Sequence, residues 1–93
     1  MSIVVCAEQR DGKLSKVAFE ALSEGKRLAA ASGDTLKALV IGSGVAACAD
    51  ELKKYGADEI AVADNDALAA YTTETYAAVL AAFIAQESPA LVL

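Results

Sequence analysis

The sequence predicts one α/β domain built on a parallel sheet with helices on both faces. Short runs of apolar, often β-branched residues alternate with longer stretches whose apolar residues recur every three or four positions. The short runs are apolar without a polar alternation, as strands covered on both faces require. Alanine supplies 22 of the 93 residues, so the 56% hydrophobic content and mean hydropathy of +0.41 signal helices more than apolar surface.

Ser2 to Ala7 (SIVVCA) reads as the first strand. Residues 8–13 form a polar loop with an Asp11-Gly12 turn signal. Leu14, Val17, Ala18, Ala21, Leu22, Gly25, Leu28 and Ala29 then make one helical stripe, with Lys16, Glu20, Ser23 and Arg27 on the opposite side. Gly33 is placed as the helix C-cap. Leu36 to Ile41 is the second strand, and Gly42-Ser43-Gly44 breaks it. Val45, Cys48, Ala49, Leu52 and Tyr55 mark a second helix that ends at Gly56.

Glu59 to Ala63 is the third strand, closed by Asp64-Asn65-Asp66 and a turn reaching Tyr71. Thr72 or Thr73 caps a third helix, with Glu74 in its first turn and Tyr76, Val79, Leu80, Phe83 and Ile84 facing inward. Ser88-Pro89 stops it, with Ser88 pushed toward an extended conformation. Ala90 to Leu93 begins a fourth strand.

This order predicts right-handed crossovers. A strand order of 3-2-1-4 puts helices one and two on one face and helix three alone on the other. One helix cannot cover four strands that are apolar on both sides. The expectation is a domain truncated after its fourth strand, or an oligomer that covers the bare face by self-association.

Composition excludes several functions. The chain has no histidine, which removes Ser–His–Asp and Cys–His catalysis and any histidine-ligated metal. Cys6 and Cys48 form no Cys-x-x-Cys pair and read as reduced, small buried apolar residues. Net charge is −5, and no lysine or arginine follows Lys54. That argues against nucleic acid. The longest apolar run, Tyr76 to Ala85, is too short for the roughly 20 residues of a membrane span. With no basic, serine-rich leader in view, the expected location is the bacterial cytoplasm.

Few motifs carry chemistry. Gly42-Ser43-Gly44-Val45-Ala46-Ala47 fits G-x-G-x-x-G/A, and Asp64 stands 22 residues on, where a ribose-binding acid would sit. The same spacing suits an ordinary strand-to-helix turn. Gly42, Ser43 and Gly44 are therefore cofactor-binding candidates only if the chain is a nucleotide-binding module. Asp64-Asn65-Asp66 lacks the spacing of a calcium loop, and no metal site is expected. Glu8, Arg10 and Asp11 lie at the functional edge of the sheet but have no nucleophile beside them, so no catalytic residue is assigned. Tyr71 and Tyr76 read as packing residues.

Four stretches carry a resemblance: Ile3-Val4-Val5-Cys6-Ala7-Glu8 with Asp11-Gly12-Lys13-Leu14; Glu24-Gly25-Lys26-Arg27-Leu28-Ala29 with Gly33; Tyr55-Gly56-Ala57-Asp58-Glu59-Ile60 with Val62-Ala63-Asp64; and Ala70-Tyr71-Thr72 with Glu74 and Tyr76-Ala77. Together they make the chain similar to the N-terminal segment of the electron transfer flavoprotein alpha subunit. Gln9 departs from a histidine common in that family, and Cys6 from its usual strand residues.

The resemblance implies a Rossmann-like fold of the adenine nucleotide alpha hydrolase-like kind, with residues 1–93 as the N-terminal domain. It implies a carrier rather than an enzyme. FAD belongs to a C-terminal domain outside this chain, with none expected in residues 1–93. The partner is the beta subunit. The heterodimer would take electrons from flavin dehydrogenases, such as the acyl-CoA dehydrogenases of fatty acid beta-oxidation, to a membrane-associated acceptor. The alternative is the small nucleotide-binding module using Gly42, Ser43 and Gly44.

Overall fold

A computed structural model describes residues 2–68 and 73–93. Its elements run β1 (Ser2–Cys6), β2 (Gln9–Arg10), β3 (Lys13–Leu14), α1 (Lys16–Ser32), β4 (Thr35–Gly42), α2 (Cys48–Lys54), β5 (Glu59–Asp64), a 3₁₀ turn (Asp66–Leu68), α3 (Thr73–Glu87) and β6 (Leu91–Val92). Four strands form a parallel sheet in the order β5-β4-β1-β6. This is the 3-2-1-4 arrangement of the four main strands. Ser2 stands beside Thr35, and Lys37 beside Glu59.

Alternation of side chains across the strands divides the core in two. Ile3, Val5, Leu36, Ala38 and Val40 face α1 and α2, meeting Ala18, Leu22, Ala29, Cys48 and Leu52. Leu39 and Ile41 face the other way, toward Tyr76, Val79, Leu80 and Phe83 of α3. Coverage is unequal. Leu22 and Leu52 are fully buried, whereas no described side chain of α3 is completely covered.

Gly25 sets how closely α1 approaches the sheet. A β-carbon there would lie 2.9 Å from both Leu36 Cδ1 and Val5 Cγ2, inside van der Waals contact. Helix ends follow local chemistry. The Ser15 hydroxyl accepts from the Ala18 N–H, and Gly33 closes α1 in a left-handed conformation with its N–H on the Ala29 carbonyl.

Several expectations are corrected. Residues 9–14 form a two-stranded hairpin rather than an open loop. Asp11 (φ 54°) and Gly12 (φ 79°) both take positive φ, as a two-residue type I′ connection demands. Leu14 therefore belongs to β3, and Ser15 caps the helix that starts at Lys16. Val17 is 58% exposed because it lies on the flank of α1, about 100° from neighbouring Ala18. Tyr55 lies just past α2 and is 53% exposed, its ring 4.6 Å from that of Phe19.

Residues 45–47 form a turn before α2. Ser88 is left-handed (φ 45°) rather than extended, because its N–H still reaches the Ile84 carbonyl. Thr73 is the first residue of α3; Thr72 and Tyr71 lie outside the described residues.

Lys37 ties the amino-terminal end of the sheet together. Its ammonium lies 2.8 Å from Glu59 and 2.6 Å from Glu87, which joins the end of α3 to β4 and β5. The Lys37 side chain is 16% exposed. Hydrogen bonds to Glu59 and then Glu87 raise its pKa above the ordinary lysine value of 10.5. A raised pKa in the folded state gives stability that is complete below the unfolded-state value and lost as pH rises through the folded one. Thermal melts should show Lys37→Met less stable than the parent at neutral pH, with the gap closing above pH 10.5. A gap independent of pH would show that lost packing, not charge, is responsible.

Leu22→Ala and Leu52→Ala should each cost about 2–5 kcal/mol in urea unfolding. Val17→Ala should change stability by no more than about 0.5 kcal/mol.

Candidate functional site

In parallel α/β sheets, ligands sit beyond the carboxyl ends of the strands, where the connections leave to opposite faces. Here that edge is formed by the hairpin after β1, the glycine turn after β4 and the acidic turn after β5. Three side chains lock these loops together.

The first is Gln9. Its side-chain Nε2 donates to the Ile41 carbonyl at 3.0 Å, and its Oε1 accepts from the Gly12 N–H at 3.0 Å. One amide thus bridges the hairpin to the end of β4. The second is Cys48, whose thiol donates to the Gly12 carbonyl at 3.2 Å. The third is Asp64. Its Oδ1 accepts from the Gly44 N–H at 2.9 Å and its Oδ2 from the Val45 N–H at 3.1 Å. The Asn65 N–H adds a bond to the Gly42 carbonyl at 3.0 Å.

The structure therefore brings Gly42, Ser43, Gly44 and Asp64 into one cluster. In it the carboxylate of Asp64 takes the two amide hydrogens that a phosphate oxygen would use. Asp66 stands 3.5 Å from the Ser43 hydroxyl. Among the described residues no group of three or more metal-binding side chains converges.

Glu8, Arg10 and Asp11 share a cleft of about 1010 Å³ with Cys6, Ile41, Tyr76 and Leu80, between the hairpin and α3. Its floor is apolar. Glu8 accepts from the Ser15 hydroxyl at 3.2 Å, and Tyr76 donates to the Leu68 carbonyl at 3.2 Å. Cys6 is half-buried rather than fully buried, because it faces this cleft. Burial raises the pKa of both thiols, with the Glu51 charge adding to the effect at Cys48. In the sequence Gln9 stands out only as a departure from a histidine. Its bridging role needs the register of the hairpin over β4, which no local pattern announces.

The chain matches the family profile of the electron transfer flavoprotein domain over residues 3–93. It belongs to that family. It is 45% identical over 89 residues to the electron transfer flavoprotein subunit alpha of Syntrophomonas wolfei, covering 96% of this chain and 27% of that protein. It is 43% identical over 91 residues to the acryloyl-CoA reductase electron transfer subunit beta of Anaerotignum propionicum, covering 98% and 25%. Protein FixB of Clostridium saccharobutylicum is 45% identical over 87 residues, covering 94% and 26%. The chain thus spans about a quarter of the length of these relatives.

Asp64→Asn leaves one acceptor oxygen for two amides and should cost about 1 kcal/mol in urea unfolding. A β-carbon on Gly42 would collide with the Gln9 amide and lie 2.8 Å from Val45 Cγ1. Gly42→Ala should therefore destabilise less when Gln9 is already alanine. A double-mutant cycle with additive costs would rule out the coupling. Both thiols should react slowly with a disulfide reagent at neutral pH and rapidly in urea, with Cys48 the slower in the native state.

Proposed function

We propose that this chain is the N-terminal domain of an electron transfer flavoprotein alpha subunit, acting as a structural platform in an electron carrier and not as an enzyme. The observation that carries this reading is the family match across residues 3–93. On this reading the domain pairs with a beta subunit in the bacterial cytoplasm and supports a flavin domain outside residues 1–93. The heterodimer passes electrons from flavin dehydrogenases, acyl-CoA dehydrogenases among them, to a membrane-associated acceptor. Relatives are named as an electron transfer subunit of an acryloyl-CoA reductase and as a subunit of an NAD(+),ferredoxin lactate dehydrogenase, so this reading admits redox partners outside fatty acid oxidation.

The geometry supports keeping the flavin outside this chain. A dinucleotide needs free amides at its pyrophosphate. At the glycine turn, the Gly44 and Val45 amides are held by Asp64, and the neighbouring cleft presents the carboxylates of Glu8 and Asp11 beside Arg10. These residues do not fit a flavin diphosphate. The same engagement of the amides favours the platform over the nucleotide-binding module.

The purified 93-residue chain should show no flavin band in its visible spectrum and no calorimetric heat with millimolar AMP, ATP or NAD. A stoichiometric flavin band, or saturable nucleotide binding lost in Gly44→Val, would overturn the platform reading. Co-expression with a beta subunit should yield a complex on size-exclusion chromatography.

A further inference from the structure

We draw no further inference here: the strongest candidate, the cleft between the β2–β3 hairpin and α3 at the carboxyl edge of the sheet, belongs to the site already described, and no buried polar side chain among the described residues selects a ligand for it.

Discussion

The rest of the structure depends on β4 being buried on both faces. It lies between β1 and β5, and its last five residues, Ala38 to Gly42, are all buried. Backbone groups there are paired with neighbouring strands on both sides, so only side chains remain to be covered. Ala38 and Val40 need a layer on one face, and Leu39 and Ile41 need a layer on the other. The chain meets the first demand with α1 and α2, brought close by Gly25. It meets the second with α3, tied at its far end through Glu87 to Lys37.

Coverage by α3 is the lighter of the two. Ala77, Ala78, Ala81, Ala82 and Ala85 are exposed along it, and its inward residues are only half-buried. Alanine is a strong helix former that removes little apolar area from water. The α3 layer therefore rests on its few large residues, Tyr76, Val79, Leu80 and Phe83, while the α1 layer has fully buried Leu22 at its centre.

The loop edge inverts the usual division between scaffold and site. Glycines at Gly42 and Gly44 and an acid at Asp64 would suit a phosphate cradle, yet the acid folds back onto the amides of the turn. An anion is favourable at such amides whether it comes from a ligand or from the chain itself. Here the chain supplies it, and the Gln9 amide fixes the hairpin over the same turn. The cluster is held together by its own polar groups. That suits the platform role proposed above.

Much of the fold was legible in the sequence. The apolar runs at 2–7 and 36–41 marked two strands, and of the stripe read over residues 14–29, Ala18, Leu22, Gly25 and Ala29 form the buried face of α1. Gly33 marked the end of that helix. These are local signals, because periodicity and capping act over a few residues. The family, too, was legible in the order of the quoted stretches, and the match over residues 3–93 bears it out. Tertiary structure alone decided what depends on distant residues meeting. It placed Val17 on the outer flank of α1, folded Asp11-Gly12 into a hairpin over β4, put Lys37 between Glu59 and Glu87, and turned Asp64 onto the glycine turn. The Lys37 and Asp64 contacts join positions whose separation along the chain carries no pattern, so only the packed sheet determines the partner.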